Sequence, residues 1–147
     1  ELGAAFGLVQ LKKLKKNLQK REINFKLHTN YLKKYSKYFI LPKQLPLSKS
    51  GWLAYPITIT KDAPFTRTQL QIFLEKKNIQ TRVVFTGNIL RQPGFKNIKA
   101  KRNKSGYPEA DKVMRNGILI ACHHGLTSKM INHIHKSIDE FIKKNTN

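Results

Sequence analysis

Acidic residues and cysteine are what this sequence has least of. Eight Asp and Glu stand against 29 Lys and Arg in 147 residues, a formal charge of +21. Such an excess points to a polyanionic partner: nucleic acid, anionic lipid or a phosphorylated ligand. Yet 23 of the 29 are lysines, spread along the whole chain. Specific readers of nucleic acid use arginine for bidentate contacts and aromatics for stacking. Scattered lysine is the pattern of a solvated surface, so nucleic acid is the weaker expectation. The single cysteine, Cys122, excludes an internal disulfide and supplies no metal framework. Its expected state is a small, buried, reduced hydrophobe, which fits the cytoplasm. No apolar run approaches the ~20 residues needed to cross a bilayer. The chain opens ELGAAFGLVQ with no basic leader, so no membrane partner is expected.

Catalytic signatures are missing too. There is no GxSxG, Walker or GxGxxG run. Asp62, Glu109 and Asp111 form no carboxylate pair on one element; Glu109 and Asp111 suit the first turn of a helix, where the macrodipole favours them. By itself the chain therefore shows no complete catalytic set.

What is present reads as a long helix followed by a small mixed layer. Leu8, Leu11, Leu14 and Leu18 recur at helical spacing over residues 2–37, with Lys12, Lys13, Lys15 and Lys16 opposite. Ala4, Ala5 and Gly7 thin its first turns for a close neighbour. Glu22, Phe25, Tyr31 and Leu32 carry the pattern on. No Ser, Thr, Asp or Asn caps its start, which suggests a chain beginning inside a larger protein. Pro42 and Pro46 close the helical region. Residues 51–60 read as a strand, with Pro56 confining part of it to an edge or bulge. Thr66 caps a helix over 67–77, and Asn78 ends it. Thr81, Val83 and Val84 begin a buried strand. Residues 94–107 are a basic loop, Pro108 starts a short helix through Met114, and 117–122 is a buried strand. Thr127 caps the last helix, which places Met130, Ile131, Ile134, Ile138 and Phe141 on one face. The sum is an α+β arrangement, divided into a linking helix over 1–37 and a domain over 38–147.

Two places invite ligand chemistry. In Thr81–Phe95, TRVVFTGNILRQPGF, a tight turn over Thr86, Gly87 and Asn88 leads to Arg91, a bidentate donor just past a strand. His123 and His124 lie between a strand and a capped helix, a position suited to an acid, a base or an anion contact. His133 and His135, two apart on a helix, face different ways and are expected at the surface; no metal site is expected.

Three stretches together resemble the C-terminal part of the DegT/DnrJ/EryC1/StrS family of PLP-dependent sugar-nucleotide enzymes. They are Glu1–Leu14 with Arg21 after it, Gly51–Thr58 (GWLAYPIT), and Thr81–Pro93. The TGN-x-x-RQP run is most similar to the CDP-4-keto-6-deoxyglucose 3-dehydratase subgroup, and Gly125-Leu126-Thr127 with the final helix also match. The chain departs from that subgroup at Ser105–Asp111 (SGYPEAD) and at His123-His124, where the subgroup usually has Tyr-Pro.

The resemblance implies an α/β enzyme of PLP fold-type I, of which this is the small α+β domain behind a linking helix. It implies PLP or PMP held mainly by a large domain outside the chain, where the Schiff-base residue would also lie. It further implies a nucleotide-sugar substrate, an amino donor such as glutamate if the enzyme transaminates, and a homodimer. The expected substrate contacts are Asn88, Arg91, His123 and His124. The rival readings are a basic nucleic-acid-binding module and a dimerisation domain with the long helix as its interface.

Overall fold

The computed structural model describes residues 1–146. Helix α1 spans Leu2–Leu32, strand β1 Phe39–Ile40 and strand β2 Ala54–Ile59. Helix α2 follows at Arg67–Lys76 and strand β3 at Arg82–Val83. Helix α3 (Pro108–Asn116), strand β4 (Gly117–Ala121) and helix α4 (Ser128–Thr146) complete the chain. The sheet is antiparallel in the order β1-β2-β4-β3. The expected mixed helix-and-sheet class is what the chain forms.

The period-2 pattern of β2 buries Tyr55, Ile57 and Ile59, and β4 presents Ile118 and Ile120 beside them. Leu70 and Leu74 of α2 and Ile134, Ile138 and Phe141 of α4 close over this face. Each such side chain contributes roughly 1.5–3 kcal/mol on burial. Phe25 and Leu32 of α1 enter the same core. Pro56 sits where β2 is open on one side, because β1 pairs only with Thr58 and Ile59. Thr66 caps α2 in a full capping box with Gln69, and Asn78 leaves the helix at φ +59°.

Five expectations need correction. The helix ends at Leu32 rather than 37, and a 3₁₀ turn over Lys33–Tyr35 carries the chain on. Its leucine stripe is not packed: Leu8, Leu11 and Leu14 are exposed, and nothing lies within 4 Å of a Cβ built on Gly7. The core reaches only as far back as Asn24, so the first turns have nothing to meet. The strand after Thr81 is two residues long and exposed, with only Thr81 itself buried. Met130 is also exposed, because it falls beside the stripe of Ile131, Ile134, Ile138 and Ile142 rather than on it.

His135 overturns the fifth. It lies on that stripe, four residues after Ile131 and three before Ile138, and is buried where α4 meets α1. Its Nε2 is 3.0 Å from Nδ1 of fully buried His28, whose Nε2–H donates to the carbonyl of Ala121 at 3.1 Å. Tyr31 stacks on the His135 ring at 3.9 Å. The Tyr31 and Tyr35 hydroxyls both donate to Asp139, which Lys34 also meets at 2.9 Å. His133 is exposed as expected, beside the carbonyl of Lys77.

Candidate functional site

The turn after β3 adopts unusual backbone at two positions. Phe85 and Gly87 both have positive φ, +43° and +62°. Asn88 is buried and its amide is committed on both sides. Its Oδ1 accepts from the Leu90 N–H at 3.1 Å, which caps a 3₁₀ turn over Ile89–Arg91. Its Nδ2 donates to Oδ1 of Asp111 at 2.7 Å. Arg91 reaches the same carboxylate, with Nε 3.1 Å from Oδ1 and Nη2 2.8 Å from Oδ2. Gln92 closes the turn by donating to the carbonyl of Thr86 at 2.8 Å.

Asp111 therefore holds the whole turn from the first part of α3. The Arg91 guanidinium first, and then the Asn88 amide, keep its carboxyl at about 2, so it stays ionised across the physiological range. The Arg91 side chain nonetheless remains 63% exposed. Sequence reasoning placed Asp111 only as a helix-start acid. A better signal was available in the charge count, since Glu109 and Asp111 are the only acids between Lys76 and Ile138.

The two histidines lie at the far end of β4. Five strand residues separate the ends, on the order of 15 Å at ~3.3 Å per residue. The structure therefore brings Asn88 and Arg91 together but does not bring them to His123 and His124. The histidines also diverge from each other, their rings crossed at 82°. His123 Nδ1 accepts from the Gly125 N–H at 3.1 Å, and its carbonyl accepts from Asn24 Nδ2 at 2.9 Å. It lines an apolar cleft of about 490 Å³ with Leu53, Leu119, Leu126, Met130 and Ile134. His124 instead turns to α1, where Nη2 of Arg21 donates to its Nδ1 at 3.4 Å. Arg21 also donates to the carbonyl of Gly51 at 3.2 Å.

Between the histidines and the core, Cys122 is buried, and desolvation pushes its thiol up to about 12. It is an inert packing residue. Among the described residues no group of three or more His, Cys, Asp or Glu converges as a metal site would require.

The helix-backed antiparallel sheet is a fold shared with solved PLP fold-type-I, aminotransferase-like enzymes, about a third of whose length it matches. An E. coli GDP-4-keto-6-deoxy-D-mannose-3-dehydratase, solved with bound hydrated PLP, superposes with a TM-score of 0.81 at 24% identity, over 90% of this chain and 33% of that one. The sequence comparison is more specific. The chain belongs to the DegT/DnrJ/EryC1/StrS aminotransferase family, whose sequence model matches residues 1–139. It is 30% identical to the lipopolysaccharide biosynthesis protein RfbH of Salmonella typhimurium, over 99% of this chain and 33% of that protein. It is 34% identical to the dTDP-4-dehydro-2,6-dideoxy-D-glucose 3-dehydratase of Saccharopolyspora spinosa, over 99% of this chain and 31% of that enzyme. The chain thus spans about a third of the length of the relatives it matches.

Proposed function

We propose that this chain is the small-domain part of a PLP- or PMP-dependent enzyme of cell-surface polysaccharide synthesis. The substrate is a nucleotide-linked 4-keto-6-deoxy sugar, and the reaction is transamination from a donor such as glutamate or C3 dehydration. The observation that carries this reading is the match of 99% of the chain, at 30–34% identity, to one relative named for lipopolysaccharide biosynthesis and another named as a nucleotide-sugar 3-dehydratase.

The chain's own residues do not fit the cofactor. No lysine among the described residues is buried. Asp111 is committed to Asn88 and Arg91, and Asp139 to Tyr31, Tyr35 and Lys34. In this reading the cofactor is held by the remaining two thirds of the enzyme, and the uncovered leucines of α1 pack against that part. The enzyme acts as a homodimer in the cytoplasm, where a lone reduced cysteine is at home. No helix among the described residues is long and apolar enough to cross a membrane.

Within this domain Arg91 supplies the substrate-side anion contact, and Asn88 shapes the turn that carries it. His123, facing its apolar cleft, and His124 beside Arg21 serve the more distant part of the ligand. Arg91→Ala in the complete enzyme is expected to weaken nucleotide-sugar binding roughly ten- to hundredfold, as for a lost charge-assisted contact. Calorimetric titration measures this, and unchanged affinity removes Arg91 from the site. The reaction is tested by mass analysis of the product from a panel of 4-keto-6-deoxy sugar nucleotides. An amino sugar indicates transamination and loss of the C3 hydroxyl indicates dehydration; neither product from any of them rejects the reading.

A further inference from the structure

The contacts of Arg91 have a consequence for how it could bind anything. A guanidinium offers two bidentate edges: a side-on edge made of Nε–H and one Nη–H, and an end-on edge made of one N–H from each Nη. Asp111 takes the side-on edge, with Nε at 3.1 Å and Nη2 at 2.8 Å. No other acceptor among the described residues meets the Arg91 guanidinium, and its side chain is 63% exposed while that of Asp111 is 8% exposed. The buried carboxylate thus grips the side-on edge and leaves the end-on edge of an exposed side chain without a second acceptor among the described residues.

The local charge leaves room for a second anion. Arg115 Nη2 stands 4.0 Å from Asp111 Oδ2, so two guanidiniums share one carboxylate. One positive charge there is uncompensated. The Asn88 amide also donates to Oδ1 of Asp111, so the carboxylate is fixed before any ligand arrives. A preorganised donor edge with net positive charge suits a phosphoryl oxyanion.

We propose that Asp111 is a positioning residue that holds Arg91 by its side-on edge and presents the end-on edge to a diphosphate oxygen of the substrate. This rests on the reading of Arg91 as a substrate contact, and the experiment separates the two. Asp111→Asn is the selective change. Its Oδ1 still accepts from Asn88 and from Nε of Arg91, but an amide NH₂ replaces the acceptor for Nη2, so donor meets donor.

The probe is whichever of dTDP, GDP, CDP or UDP the complete enzyme binds most tightly, titrated into wild type, D111N, R91A and the double variant below the melting transition of each. The expected result is about a fivefold to tenfold loss of affinity for D111N, a larger loss for R91A, and no further loss in the double variant. A merely structural Asp111 would weaken R91A binding by the same factor as it weakens wild type, and that outcome overturns the proposal. So does wild-type affinity in D111N while R91A is weakened; the substrate role of Arg91 then stands alone. Wild-type affinity in R91A, or no binding of any of the four nucleotides, removes both. Should D111N not fold, Arg91→Lys answers the same question. The ammonium keeps the pair with Asp111 but has no end-on edge, so affinity must fall while the melting temperature holds. Full affinity in R91K overturns the proposal.

Discussion

Replacing Gly87 by alanine is expected to lower stability by about 2–5 kcal/mol and to abolish the contribution of Arg91 to binding. Two costs add. At φ +62° an L-residue pays roughly 1–2 kcal/mol that glycine does not. A Cβ there would also stand 2.3 Å from Cβ and 2.6 Å from Cα of Met114 in α3. The second contact is with backbone, so no rotamer change relieves it, and overpacking of this kind costs about 1–3 kcal/mol. The strain must be released by moving the 84–92 turn away from α3. That separates Asn88 and Arg91 from Asp111, the residue that fixes both. Gly94, with open space around it and no positive φ, is the control. Gly94→Ala should fall within about 0.5 kcal/mol of wild type in urea unfolding. Equal stability of G87A and G94A would contradict the account of the turn.

The second large effect is on pH dependence. His28 and His135 are each pushed down from 6.5 to about 4, chiefly by burial. With His28 Nε2–H bound to the Ala121 carbonyl, its Nδ1 must accept from Nε2–H of His135. Protonation of His28 would set two N–H groups against each other in a dry site. The groups facing the pair are the Tyr31 and Tyr55 rings, the Asp139 carboxylate, which favours the charged form of His135, and Lys34, which opposes it.

The sign follows from the depressed folded values. The unfolded chain binds more protons below pH 6.5, so the stabilisation is complete above that pH and is lost as pH falls from about 6.5 towards 4. A single shift of this size corresponds to about 3 kcal/mol. The affected carboxylates, Glu22, Glu75, Asp111 and Asp139, are depressed instead, and their contribution is lost only further into acid. The urea midpoint should therefore be flat near neutrality and decline between pH 6.5 and 4.5. Replacing both histidines by glutamine should remove that decline, whereas His133→Gln should leave it. An unchanged decline in the double variant would assign it to other groups.

The elements that local chemistry determines were legible in the sequence. The Thr66–Gln69 capping box, the Pro56 edge, the Asn78 stop and the strand over 117–121 all follow from neighbouring residues. His135 was legible as well, because residues 131, 134, 135, 138 and 142 form one helical stripe; a preference for exposed histidine masked it. Long-range pairings were not legible. Nothing near Arg91 announces that its partner lies 20 residues on, and only the scarcity of acid makes Asp111 a candidate. The leucines of α1 show the converse limit. Their spacing correctly marks an apolar face, but not which body covers it, and this chain does not. The family, by contrast, was readable from short runs such as TGNILRQP, because a turn with positive φ and a shared carboxylate tolerates few residues.

The central claim is that these 147 residues carry substrate contacts but cannot perform the chemistry. The direct measurement supplies a 4-keto-6-deoxy sugar nucleotide, PLP and glutamate to the isolated chain and, in parallel, to the complete enzyme, and follows product by mass. The account predicts an amino or 3-deoxy sugar from the complete enzyme and none from the chain alone. Turnover by the isolated chain, or its absence from the complete enzyme, would contradict it.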